Sequence, residues 1–360
     1  MKICFIGPAN SAHIVKWCRW FAGRGHDVHV VSFSDGKIEN AAVHRVDISV
    51  NTGGGDLGKL KYLTTGKQIA KIVKEIGPDI VNVHYATSYG IAAALSGIKG
   101  YFLSVWGSDI YSFPKKSFLH KALLKYSLKK AKYLFSTSKA MADEAALYTS
   151  RKFHITPFGV DMELFDPAKR TRQDDGKTVL GTVKTLSELY GIDYILRAAA
   201  LVRKNRPDLD LELRIAGDGP DAEKFKALAE ELGIGGITRF LGRITQEEAA
   251  KEWADMDMAV IPSIMYESFG VAAVEAEASG IPVIISDVGG LMEATCPGVS
   301  SIVVPRKNAE ALAEAIEKLA SDPDLRKQMG SEGRKYALEN FELNKCFLDI
   351  EEQYLRAVSK

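Results

Sequence analysis

Short apolar runs alternate with amphipathic stretches along the whole chain. Residues 3–6, 28–33, 80–84, 102–106 and 133–136 are rich in Val, Ile and aromatics and read as strands buried on both faces. Between them, 60–76 and 118–131 carry helical periodicity. A second series follows, with strands expected at 179–183, 211–216, 237–241, 258–262, 283–286 and 302–304. Thr245 and Glu248 have the spacing of a capping box, which marks a helix start. Alternating β and α elements predict parallel sheets with helices on both faces.

The rhythm breaks after Pro157-Phe158-Gly159-Val160. The stretch 166–177 holds Pro, Gly and seven charged residues and reads as a linker. We therefore expect an α/β protein of two Rossmann-like, doubly wound domains facing across a cleft, 1–165 and 166–342. The terminal helix, about 343–360, is expected to pack back on the first. At 360 residues the chain is long enough for two cores. The four cysteines are scattered with no CxxC pair, which fits a reduced compartment and offers no zinc-ligand spacing. The N-terminal apolar run is too short for a signal peptide, and no stretch approaches the ~20 apolar residues of a membrane span. A cytoplasmic protein is expected.

Net charge is +1, unevenly spread. Residues 1–160 hold 22 Lys and Arg against 10 Asp and Glu, a balance of +12, and the remainder is −11. The asymmetry is either a chance spread of solvated charge or the mark of an anionic partner. Much of it lies in 115–132, where Phe118, Leu119, Leu123, Leu124 and Leu128 interleave with seven lysines. Such a helix packs its apolar stripe on the sheet and can present lysines to anionic lipid.

Candidate chemistry concentrates in the second half. A strand ends near Pro262, a loop carries Glu267, and a helix starts near Phe269-Gly270. Unpaired N–H groups at a helix start favour an anion, and a glycine there lets a diphosphate come close. Glu275 lies in the second turn, and helical side chains lean back toward the N-terminus, so it can reach the same pocket as Glu267. One carboxylate could take sugar hydroxyls and the other ribose hydroxyls.

The segment Glu267-Ser268-Phe269-Gly270-Val271 through Glu275, followed by Gly280-Ile281-Pro282-Val283, closely resembles the signature of retaining glycosyltransferases of family four, which have the GT-B fold. Further resembling segments are Ala216-Gly217-Asp218-Gly219-Pro220, Phe240-Leu241-Gly242-Arg243, Val288-Gly289-Gly290 and Phe158-Gly159-Val160-Asp161. The resemblance implies that the Glu267 position contacts the donor sugar, the Glu275 position binds the ribose, and backbone amides around Phe269-Gly270-Val271 hold the diphosphate. Gly217 and Asp218 would line the nucleotide side, with Ser268 in the same loop. It also implies transfer from a nucleoside diphosphate sugar, a UDP-sugar foremost, with retention and without metal or other cofactor.

Two departures stand out. The family's Arg and Lys for the leaving diphosphate align with Thr185 and Tyr190, so Lys184 or Arg243 is the expected substitute cation. In Ser104-Val105-Trp106-Gly107-Ser108-Asp109, Trp106 stands where the family has a histidine that contacts the donor sugar, leaving Asp109 and His84 as candidates for that contact. On the acceptor side, Asn10, Ser11 and His13 follow the first strand; Asn10 and Ser11 are either ligands or helix caps. The expected acceptor is a glycan, including a lipid-linked one, with the enzyme peripheral on the inner face of the membrane; nucleic acid is not an expected partner. A dinucleotide-dependent oxidoreductase is disfavoured because G-x-G-x-x-G is absent. A nucleotide-sugar epimerase and a non-catalytic sugar-nucleotide binder remain alternatives. Asp255-Met256-Asp257 reads as the polar lead-in to a strand rather than a metal site.

Overall fold

The computed structural model describes residues 1–47, 65–173 and 175–359. The chain divides into two compact units, Met1–Pro157 with Phe347–Lys360, and Phe158–Cys346. The sequence had placed these crossings at 165/166 and 342/343.

In the first unit the described elements are β1 (Lys2–Ile6), α1 (Ala12–Gly23), β2 (Asp27–Ser32), β3 (Ala42–Arg45), α2 (Gly66–Ile76), β4 (Ile80–His84), α3 (Ser88–Ser96), β5 (Phe102–Val105), α4 (Ser108–Tyr111), α5 (Phe118–Lys130), β6 (Tyr133–Ser136), α6 (Lys139–Ala145) and β7 (His154–Ile155). Residues 60–64 of the expected 60–76 helix lie outside the described residues. All pairings are parallel, in the order β3-β2-β1-β4-β5-β6-β7. The order reverses between β1 and β4, the place where open parallel sheets leave a crevice at their carboxyl ends.

The second unit contains β8 (Thr178–Val183), α7 (Ile192–Asn205), β9 (Leu211–Ala216), α8 (Ala222–Glu231), β10 (Thr238–Gly242), α9 (Gln246–Asp255), β11 (Met258–Ile261), α10 (Val271–Ala278), β12 (Val283–Ser286), α11 (Leu291–Ala294), β13 (Ser301–Val304), α12 (Ala309–Ser321) and α13 (Pro323–Phe341). Its sheet is also parallel, in the order β10-β9-β8-β11-β12-β13, and reverses between β8 and β11. Thr245 caps α9 by accepting from the Glu248 amide, and Glu248 reaches back to the Thr245 amide, completing the capping box.

A last helix, α14 (Leu343–Val358), crosses from the second unit into the first. Its Phe347 and Tyr354 are buried in an aromatic cluster with Trp17, Phe21 and Phe102. Burying a large aromatic contributes about 1.5–3 kcal/mol. Arg24 and His26 both hold the Glu351 carboxylate, at 2.9 and 2.6 Å, and fix the helix in register.

Asp255 and Asp257 have a structural task. Asp255 accepts from the Thr171 and Arg172 amides at 2.6 and 2.8 Å, and Asp257 pairs with Arg170 and Arg172 while accepting from the Val179 amide. The acidic pair thus pins the segment leading into β8. No group of three or more His, Cys, Asp or Glu suited to a metal ion occurs among the described residues.

Candidate active site

The site grows from the switch point of the second sheet. The register pairing Met258 with Leu180 and Ala259 with Gly181 brings the chain after Ile261 level with Lys184, the residue following β8. Lys184 is fixed by its amide, which donates to the Ala216 carbonyl at 2.9 Å. Gly217 makes this approach feasible: its φ is +132°, and a Cβ there would lie 1.9 Å from the Lys184 carbonyl oxygen. Asp218 accepts from the Leu186 amide, joining the turn after β9 to the loop after β8.

Across the switch point, Lys184 Nζ lies 2.6 Å from Glu267 Oε1, with both side chains largely shielded from solvent. Ser263 Oγ donates to the same carboxylate oxygen at 2.6 Å. The ammonium also sits 4.6 Å from the centre of the Tyr190 ring, so Tyr190 replaces a cation with a surface that favours one. Of the two substitutes weighed from sequence, Lys184 meets Glu267. Arg243 is exposed after β10, and no ion pair joins it to the described residues. Thr185 is exposed beside Lys184.

The loop carrying Glu267 is propped from below, since the Gly290 amide donates to the Glu267 carbonyl at 2.9 Å. Phe269 is buried against Phe158 and Phe341, so its ring anchors the loop. Gly270 caps α10 with φ +104°, and its carbonyl takes the Ala273 and Val274 amides. The N–H groups of Gly270, Val271 and Ala272 precede that first turn and form an anion-favouring end beside the partly buried Ser268. Glu275 lies in the second turn of α10 and is buried.

In the first unit the two candidates for the sugar contact are both buried. Asp109 was expected as a sugar contact. It is buried and accepts from the amides of Ala86, Trp106 and Gly107, at 2.8–3.3 Å, tying the turn after β4 to the turn after β5. Burial raises its pKa against those hydrogen bonds. His84 is fully buried, with Nε2 2.8 Å from Asn82 Nδ2 and its ring against Phe5 and Trp17. Burial depresses its pKa to about 3, so it is neutral and inside the core. Trp106 covers His84 and meets His13, whose pKa falls to about 4 through burial and Lys16. Ser11 stands at the N-cap of α1 but makes no side-chain cap bond, and Asn10 accepts from Ser34 Oγ.

The matches to known proteins follow the same division. Residues 2–138 match the family described as glycosyl transferase 4-like, and 166–336 match glycosyl transferases group 1. The chain belongs to this glycosyltransferase family. Its fold is GT-B. Over all of both chains it is similar to sucrose-phosphate synthase from Thermosynechococcus elongatus, with TM-score 0.83 and 20% identity. It is similar to HepE from Anabaena, solved with UDP and glucose, with TM-score 0.81 and 19% identity over 98% of this chain and 99% of that one. Among curated relatives, the D-inositol 3-phosphate glycosyltransferase of Pseudarthrobacter chlorophenolicus is 34% identical over 210 residues, 56% of this chain and 50% of that protein. The chain spans about half the length of the curated relatives it matches first.

Ser263 was missed from sequence because nothing marks a serine after a buried strand as a carboxylate partner. The expected apolar stripe of α5 is also narrower than read: Leu124 and Leu128 are buried, while Phe118 and Leu119 are 87% and 55% exposed.

Proposed function

We propose that the protein transfers a sugar from a nucleoside diphosphate sugar, UDP-sugars foremost, to an acceptor hydroxyl with retention and without a metal or other cofactor. The observation that supports this most is the Lys184–Glu267 pair at the second unit's switch point, beside the open start of α10. A leaving diphosphate needs positive charge and N–H donors where negative charge develops. Lys184 and the Gly270–Ala272 amides supply both. Glu267 then accepts sugar hydroxyls and supports the electron-poor anomeric carbon, and Glu275 takes the ribose hydroxyls. Asp255 and Asp257 are engaged by the segment before β8, which leaves the phosphate charge to Lys184.

A thermal-shift panel of UDP-, GDP- and ADP-sugars tests the donor, and NMR of the product with and without acceptor tests transfer, retention and epimerisation. Glu275→Ala should weaken donor binding by ~1.5–3 kcal/mol, on the order of 10- to 100-fold in Kd. Unaltered binding would remove Glu275 from the site.

The acceptor, on this reading, is a lipid-linked glycan met at an anionic cytoplasmic membrane surface. The exposed Phe118 and Leu119 at the tip of α5 adjoin exposed Lys115, Lys116, Lys121, Lys125 and Lys129. Leu147, 64% exposed after α6, lies beside Tyr148, whose ring faces Lys121. On this reading attachment is peripheral, through the exposed lysines and apolar tip of α5; no helix among the described residues is long and apolar enough to cross a membrane. At about 1 kcal/mol per basic residue, changing Lys125, Lys129 and Lys130 to Glu should lower vesicle binding by about a hundredfold or more. The wild type should bind more as phosphatidylserine rises and less as salt rises. Indifference to anionic vesicles at low salt would make the acceptor a soluble one.

A further inference from the structure

The first unit has its own switch point, between the carboxyl ends of β1 and β4, and an aromatic series rises to it from the core. Phe5 packs on His84 and Trp17, His84 packs under Trp106 at 4.9 Å, and Trp106 meets Tyr85 at 4.9 Å. Burial falls along the series, from 0% exposure at Phe5 and His84 to 6% at Trp106 and a partly exposed Tyr85.

Tyr85 is held in a costly conformation. Its φ is +70°, in the left-handed region that a bulky side chain rarely adopts. The other non-glycine residues at positive φ among the described residues are Asn40 and Lys307. The surroundings impose the conformation from every side. The Tyr85 amide donates to the Ser104 carbonyl at 3.0 Å, and its carbonyl accepts from the Gly90 amide at 2.8 Å. Gly90 is required for that approach, since a Cβ there would lie 2.8 Å from the Tyr85 oxygen and 2.7 Å from Ser127 Oγ. The next amide, Ala86, is held by the buried Asp109 carboxylate, which also fixes Trp106. Backbone strain kept in place by a buried carboxyl group and a close-packed glycine points to a positioned side chain rather than a packing accident.

We infer that Tyr85, backed by Trp106, is the platform on which the acceptor's polyhydroxylated ring lies. A partly exposed phenol offers an apolar face to a ring's C–H side and a hydroxyl to its polar rim. His13, in the first turn of α1, meets Trp106 beneath the platform, and Asn10 lies in the loop after β1, paired with Ser34. This rests on the reading of the protein as a glycosyltransferase and names the residue that chooses its acceptor.

The test uses the full chain with Tyr85→Asn, which tolerates the left-handed region, and Tyr85→Phe, which keeps the ring. Probes are myo-inositol and the methyl glycosides of glucose, galactose, mannose and N-acetylglucosamine, followed by saturation-transfer NMR, with uridine as a flat-base control. At least one ring compound should receive saturation from the wild type and from Tyr85→Phe, with at least a tenfold loss of affinity in Tyr85→Asn. Melting temperature in Tyr85→Asn should stay level or rise, because the strain is relieved. A fall of more than a few degrees marks Tyr85 as packing and overturns the inference. So does a Tyr85→Asn variant that binds the probes as the wild type does, a wild type that binds none, or uridine binding that falls in Tyr85→Asn as far as ring binding does. The UDP-glucose thermal shift should be the same in all three proteins. Its absence throughout would count against the donor reading alone, because the ring-binding comparison does not use it.

Discussion

Lys184→Ala is expected to lower turnover by about 10²-fold or more, the cost of removing one positioned stabiliser from a developing anion. The same change strips Glu267 of its counter-ion, leaving a largely shielded carboxylate that accepts from Ser263. Loss of one member of such a pair costs more than loss of both. The double variant Lys184→Ala/Glu267→Ala should therefore melt higher than Lys184→Ala alone while remaining inactive. Arg243→Ala should keep most of the wild-type rate, because Arg243 is exposed and outside the pair. Steady-state kinetics on the donor found by the thermal-shift panel decide the matter. Full activity in Lys184→Ala with loss in Arg243→Ala would move the phosphate charge to Arg243.

The second large effect lies away from the site. Glu277, on α10, is fully buried, and burial pushes its pKa from 4.5 up to about 8. Ser300 Oγ donates to Oε1, and Oε2 has no hydrogen-bond partner among the described residues. Below the ordinary value the acid is protonated whether folded or not. Between that value and about 8 only the folded chain keeps the proton, so rising pH removes about 1.4 kcal/mol per unit. Above about 8 both states are ionised and the loss is complete. Glu277→Gln keeps the shape without the titration. Between pH 5 and pH 8.5 the wild type should lose several kcal/mol relative to Glu277→Gln, as measured by urea unfolding. Parallel curves for the two proteins would show that Glu277 ionises normally.

How much of this was legible beforehand follows from what sequence encodes. Runs such as Ile80–His84 and Leu211–Ala216 announce themselves because a parallel strand covered on both faces is apolar at successive positions. Ala42–Arg45 and His154–Ile155 escaped notice because they are short, partly exposed edge strands without that pattern. The Glu267–Glu275 spacing and the candidacy of Lys184 or Arg243 could be read because each rests on a local segment. The amide partners of Asp109 could not be read beforehand, because they lie on two separate turns, which no side-chain pattern displays. Tyr85 was passed over because a left-handed φ on a tyrosine is a property of its surroundings, not of its letter. The exposure of Phe118 likewise depends on where α5 meets the sheet, and an apolar residue at a helix start looks the same in either position.

The two chain crossings at Pro157/Phe158 and Cys346/Phe347 make the second unit an insertion within the first. During synthesis the second unit leaves the ribosome as one continuous segment and can close its core at once. The first unit emerges earlier but must wait, because Phe347 and Tyr354 complete the aromatic cluster around Trp17 and Phe21. Birth order and folding order are thus reversed. Until the last turns of α14 arrive, the strands that carry Tyr85 and Trp106 stand around an unfilled core, and translational arrest before residue 347 would leave only the second unit whole.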